Sequence, residues 1–439
     1  MALLGLMSFA ALTLFLVLTT VPRQAHASSR GNLGRNINPS VYGICASSVI
    51  VHGYKCQEHE VTTDDGYILS LQRIPEGRGK SSGSGTRKQP VVIQHGVLVT
   101  LNNAALPQGL ATFVSSLPIQ HRNMVPTRDG MTWLLNPPEQ DLPLILADNG
   151  FDVWIANTRG TRYSRRHISL DPSSQAYWNW SWDELVSYDF PAVFNYVFSQ
   201  TGQKINYVGH SLGTLVALAS FSEGKLVNQL KSAALLSPIA YLSHMNTALG
   251  VVAAKSFVGE ITTLFGLAEF NPKGLAVDAF LKSLCAHPGI DCYDLLTALT
   301  GKNCCLNSST VDLFLMNEPQ STSTKNMVHL AQTVRLGALT KFNYVRPDYN
   351  IMHYGEIFPP IYNLSNIPHD LPLFISYGGR DALSDVRDVE NLLDKLKFHD
   401  ENKRSVQFIQ EYAHADYIMG FNAKDLVYNA VLSFFNHQV

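Results

Sequence analysis

The chain predicts an α/β protein: a mostly parallel, doubly wound sheet carrying an inserted helical cap or lid. Three observations lead there. From residue 91 onward, short continuously apolar runs alternate with helical patterns, as strands covered on both faces do. One run, in "INYVGHSLGTLVALASF" (205–221), passes into a helix pattern through a serine set between two glycines. Between residues 241 and 353 the alternation stops and helical patterns take over.

The elements follow in chain order. Residues 1–27 open with an apolar run from Ala2 and close on Ala25-His26-Ala27, a small-x-small site. They read as a secretory signal peptide cut before Ser28. The competing reading is an uncleaved anchor, favoured by the lack of Lys or Arg before the run and by Arg23 after it. The run, however, is at the short limit for a membrane span. No later stretch approaches a span, so the mature chain is expected to lack one. Its destination is extracellular or, alternatively, a vacuolar or lysosomal lumen.

Residues 59–75 alternate apolar and polar side chains around Asp64-Asp65-Gly66, a hairpin signal. Residues 76–90 are rich in Gly, Ser, Lys and Arg and have nothing apolar to bury, so they form a loop. The apolar runs at 91–94, 151–157, 205–209, 232–238, 371–378 and 406–413 read as buried parallel strands. Helices begin at Trp182 and Asp385. The expected division is a signal peptide (1–27), a first part of the core (28–240), the cap (241–353) and a second part of the core (354–439).

Composition narrows the partners. A net charge of −2 gives no basic field, which argues against nucleic acid. No cofactor is implied, and the oligomeric state is left open. Six cysteines fit an oxidising compartment. Cys45 and Cys56 are the natural local pair. Cys285, Cys292, Cys304 and Cys305 allow three connectivities, and they are expected to form two disulfides that pin the cap. A zinc site is disfavoured, because there is no C-x-x-C pair and no accompanying His motif. Glycosylation sequons occur at Asn179, Asn307 and Asn363. Asn179 lies among tryptophans and reads as buried, the other two as accessible.

Ser211 is the candidate nucleophile. An abrupt strand-to-helix turn forces it to positive φ and lifts its hydroxyl out of the sheet, and Gly209 and Gly213 leave room for the turn. The stretch "GKSSG" (79–83) fits the same pattern, but it has neither strand nor helix around it. A serine hydroxyl is a weak nucleophile, so a base must take its proton and a carboxylate must orient that base. Asp381 follows a strand in "GGRDALSD". Its competitor, Asp385, is better explained as a helix cap. His414 follows the last strand in "EYAHADYIMG", one crossover later, and is preferred over His353, His369 and His399. The developing oxyanion needs two N–H donors. Leu212 supplies one and Val97, after His95-Gly96, the other, unless His95-Gly96 is only a strand-end turn.

Stretches such as "EVTTDDGYILSLQRIP", "VVIQHGVL", "FDVWIANTRGTRYSRRH", "YVGHSLGT", "GGRDALSDVRDV" and "HADYIMGF" occur in order from about residue 47 to the C-terminus. On these the chain resembles the acid lipases of the α/β-hydrolase fold, gastric and lysosomal lipases and their plant relatives. The resemblance implies a triad at Ser211, Asp381 and His414, an oxyanion hole at Val97 and Leu212, and a helical cap with a lid. It also implies neutral lipid esters as substrates, met at a lipid–water interface. Animal members often carry Gln where this chain has Leu212. A steryl or small carboxylic esterase, or a catalytically silent lipid-binding protein, are the alternative functions.

Overall fold

The computed structural model describes residues 43–79, 87–97, 130–247, 266–270, 299–317 and 320–438, with isolated positions between 254 and 297. The signal peptide, residues 80–83 of the second G-x-S-x-G match, Cys285, Cys292 and most of the apolar stretch 248–265 lie outside the described residues.

Among the described residues, one sheet holds nine strands. They are β1 (Gln57–Thr62), β2 (Tyr67–Ile74), β3 (Pro90–Gln94), β4 (Asp152–Ala156), β5 (Arg166–His167), β6 (Ile205–Ser211), β7 (Leu230–Pro238), β10 (Leu373–Gly378) and β11 (Arg404–Ile409). Two further strands, β8 (Glu269–Phe270) and β9 (Thr322–Ser323), pair with each other in a small sheet within the 241–353 region. The order is β1-β2-β4-β3-β6-β7-β10-β11, with β5 beside β2. From β4 to β11 the pairing is parallel, whereas β2 meets β1, β4 and β5 antiparallel.

The continuous apolar runs are explained by cover on both faces. Val92, Trp154 and Tyr207 point to one side, where α2 (Phe190–Thr201) and α3 (Leu212–Ser222) pack through Phe190, Phe194 and Leu215. Val91, Ile93, Val153 and Val208 point to the other, against Leu144 of a helix, α1 (Leu142–Asp148), and the C-terminal helix. Alternate residues thus serve two cores.

The strand at 404–409 departs from expectation. It is the sheet edge, and Val406 and Phe408 are exposed. It also ends at Ile409, leaving Gln410–Ala413 free to turn back towards β10.

Cys45 and Cys56 are bonded as expected. Cys304, however, is bonded to its neighbour Cys305. A bond between adjacent residues closes no loop, so it cannot pin the insertion to anything remote. That task falls to Asp416, whose carboxylate accepts the backbone N–H groups of Cys304 and Cys305 at 3.2 and 3.1 Å. Asn179 is exposed, contrary to its sequence reading. The chain turns so that Trp178 and Trp180 are buried while the residue between them points outward. Asn307 and Asn363 are exposed as expected. No described helix is long and apolar enough to cross a membrane.

Candidate active site

The strand order reverses its direction of growth at β3, with β4 on one side and β6 on the other. In open α/β sheets ligands bind at the carboxyl ends of the strands beside such a reversal. Ser211 is the last residue of β6, at that edge, and holds φ 55° and ψ −121° before α3 starts at Leu212. A non-glycine side chain at positive φ is held there only by its surroundings. The glycines supply the room: a Cβ on Gly213 would lie 2.8 Å from the Gln94 carbonyl, and one on Gly209 3.0 Å from the Gly213 carbonyl carbon.

The loop after β3 closes over the serine. Gly96 lies against it, and Val97, half-buried, follows. His95 holds this loop. Its Nε2 accepts the Thr158 N–H at 3.3 Å, so the proton sits on Nδ1, which donates to the Gly96 carbonyl at 2.7 Å. Burial pushes its pKa down, which favours this neutral form. Beside it, buried Arg159 bridges Asp65 of the β1–β2 turn and Asp189.

Asp381 and His414 come together because the loops after β10 and β11 touch backbone to backbone. The Gly379 and Arg380 N–H groups donate to the carbonyls of Ile409 and Tyr412. His414 Nδ1 lies 3.0 Å from Asp381 Oδ2 and 3.2 Å from Oδ1, and both side chains are fully buried. Burial alone would raise the pKa of Asp381. The His414 ring and the hydrogen bonds from His414, Ser237 and Ser384 outweigh it and hold the carboxyl below its usual range.

The rest of His414 is fixed by its backbone. Its N–H donates to the Thr300 carbonyl at 3.1 Å, and its carbonyl accepts from His210 Nε2 at 3.0 Å. Burial, followed by the neighbouring His414, pushes His210 down to about 3, so it donates as a neutral ring. His414 Nε2 is buried and has no hydrogen-bond partner among the described residues, so its lone pair is available to a hydroxyl. The contact from Nε2 to Ser211 is not closed, as is common before substrate binds.

The competing residues are accounted for elsewhere. Asp385 caps α4 (Val386–Lys395) by accepting the Arg387 N–H at 2.9 Å. His353 is exposed and stacks on Tyr344. His399 Nε2–H donates to the Leu371 carbonyl, before β10 begins, and the Asp400 N–H donates to the His369 carbonyl there. His369 and His399 therefore lie near the amino end of β10, away from Asp381 and His414.

Sequence reasoning missed Ser237, whose hydroxyl reaches both Asp381 and His414, and Thr300, which braces their loops. The only sequence signal for Ser237 was a polar residue ending an otherwise apolar run. Thr300 gave none.

Family models match two regions: a partial alpha/beta-hydrolase lipase region at residues 45–102 and the alpha/beta hydrolase fold at 135–419. Triacylglycerol lipase 2 of Arabidopsis thaliana is 60% identical over 397 residues, which cover 90% of this chain and 88% of that protein. Triacylglycerol lipase 1 of the same plant is 35% identical, covering 91% of this chain and 92% of its own length. Gastric triacylglycerol lipase of Rattus norvegicus is 34% identical, covering 92% and 94%. The chain belongs to the lipase family of the α/β-hydrolase fold.

Proposed function

We propose that this chain is a serine lipase that hydrolyses the ester bonds of neutral lipids, releasing free fatty acid from triacylglycerol through an acyl-enzyme. The observation that carries the reading is the strained Ser211 at the β6–α3 turn, at the same sheet edge as the coupled His414–Asp381 pair. The names of its relatives support the substrate class.

His414 Nε2 takes the Ser211 proton as Oγ attacks the ester carbonyl carbon. The carbonyl oxygen becomes an oxyanion, held by the backbone N–H groups of Leu212 and Val97. Collapse expels the alcohol, which takes the proton from His414, and leaves the acyl group on Ser211. Water then attacks by the same route: His414 takes its proton, the fatty acid leaves, and Ser211 regains its hydrogen. Asp381 stays ionised throughout and holds the imidazole in one tautomer.

Residues 241–353 act as a cap over this edge. The support is contact: Asn246 N–H donates to the Ala382 carbonyl, and Thr300 bonds to both Ala382 and His414. The substrate is a neutral lipid presented at a lipid–water interface. A secretory route is supported by the Cys45–Cys56 disulfide, since such bonds persist in oxidising compartments.

A fluorophosphonate probe tests the nucleophile, with labelling expected on Ser211 alone. A panel of emulsified triacylglycerol, steryl ester and soluble short ester tests the substrate class. The rate on a short triacylglycerol should rise as its concentration passes the solubility limit. Full activity on the monomeric ester with none on emulsions would make the protein a soluble-ester esterase, and an unlabelled Ser211 would remove the mechanism.

A further inference from the structure

The sheet order puts β7 between β6, which carries Ser211, and β10, which leads to Asp381. Ser237 sits at the carboxyl end of β7, fully buried and at φ 50°. Its neighbour Pro238 pairs in register with Ser211, and the Pro238 carbonyl accepts the Ser384 hydroxyl at 2.6 Å. Ser237 is therefore wedged between nucleophile and acid.

The Ser237 hydroxyl is 2.6 Å from His414 Nδ1, closer than either Asp381 oxygen at 3.0 and 3.2 Å. It also bonds to Asp381 Oδ2. An ionised carboxylate can only accept, so the single hydroxyl proton goes to Oδ2 and the oxygen must accept from Nδ1–H. Asp381 Oδ1 is meanwhile filled by the Leu383 and Ser384 N–H groups at 2.9 and 2.8 Å.

We propose that Ser237 is a positioning residue of the triad, a hydroxyl bridge that accepts a hydrogen bond from the Nδ1–H of His414 and donates one to Asp381. The inference rests on the proposed triad. The bridge fixes the proton on Nδ1, which leaves the Nε2 lone pair free to act as base.

The other titratable groups around the ring are His210 from β6, with ring centroids 4.7 Å apart, and Asp416 in the same segment as His414. Neither is bonded to Ser237, so both should stay in place when its hydroxyl is removed.

The test compares Ser237→Ala and Ser237→Gly with wild type in the full-length chain, using a soluble short ester from pH 4 to 9. Alanine removes the hydroxyl and keeps the positive-φ strain, whereas glycine removes both. Both variants should lose about tenfold in kcat with KM within about twofold, as for one lost hydrogen bond to a charged group. In both, the acid limb of kcat/KM should shift, because the ring has lost the hydroxyl at its Nδ1–H. A purely structural serine would leave the limb in place and let the two variants diverge in activity as they do in thermal stability. An unchanged limb and kcat in both variants overturns the proposal, as does a shift seen in only one. Ser211→Ala runs beside them. If it retains hydrolysis, the triad itself is wrong; if it is dead while the Ser237 variants match wild type, only the bridge is wrong.

Discussion

Gly96 and Ser211 are in backbone-to-side-chain contact: a Cβ placed on Gly96 would lie 2.5 Å from Ser211 Cβ and 3.0 Å from its Oγ. Even the smallest side chain must therefore push the loop after β3 away from the nucleophile by about 1 Å, and displacements of that size cost roughly a hundredfold in rate. Gly96→Ala should lower kcat/KM by about that factor with the fold intact. The check is ester hydrolysis beside a circular-dichroism melt. Activity within about threefold of wild type would remove the loop from the oxyanion site.

The two aspartates after β10 should separate cleanly. Asp381→Asn removes the charge behind His414 and should lower kcat by roughly three to four orders of magnitude, less than His414→Ala does. Asp385→Asn keeps a helix-capping side chain and should leave kcat unchanged. Steady-state kinetics of both decides it, and the reverse ranking would transfer the acid's role to Asp385.

Stability should depend on pH through Asp183. Its carboxylate accepts the Phe342 N–H and the Tyr362 hydroxyl, both at 2.7 Å. Burial nevertheless outweighs these bonds and pushes it up to about 6 from 3.8. A raised carboxyl favours the folded state when protonated. Its contribution is full below about pH 4 and is lost as pH rises through about 6, amounting to about 3 kcal/mol at most. Thermal melts between pH 3 and 8 should show wild type losing stability over that window relative to Asp183→Asn. Parallel curves would contradict this.

Arg159 is buried between two carboxylates, and removing one partner of such a network strands the others. Arg159→Met should destabilise the protein by about 3–5 kcal/mol in urea unfolding. A loss below about 1 kcal/mol would mean that the site repacks.

Replacing Cys45 and Cys56 together by serine should cost about 3 kcal/mol, the chain-entropy value for so short a loop. The same urea titration measures it. No change in midpoint would mean that the N-terminal segment is held without the bond.

The core strands were legible because burial on both faces leaves a continuous apolar run, and Ser211 and Asp381 were singled out because each ends or closely follows such a run. Val406 and Phe408 misled for the same reason. An edge strand with apolar side chains on its open face spells the same pattern as a central one. The Cys304–Cys305 bond was hidden because spacing along a chain carries no Cβ geometry. Ser237 was one serine among many until the sheet order set β7 between the strand that ends at Ser211 and the strand before Asp381, a relation across strands far apart in the chain.

The Thr300 carbonyl receives N–H groups from Ala382, next to Asp381, and from His414. The inserted region therefore supplies the strut that sets the spacing of Asp381 and His414. Insertions of this kind are not interchangeable modules. A chimera that takes this region from a relative inherits that relative's strut, and its turnover should change even where Ser211, Asp381 and His414 are all retained.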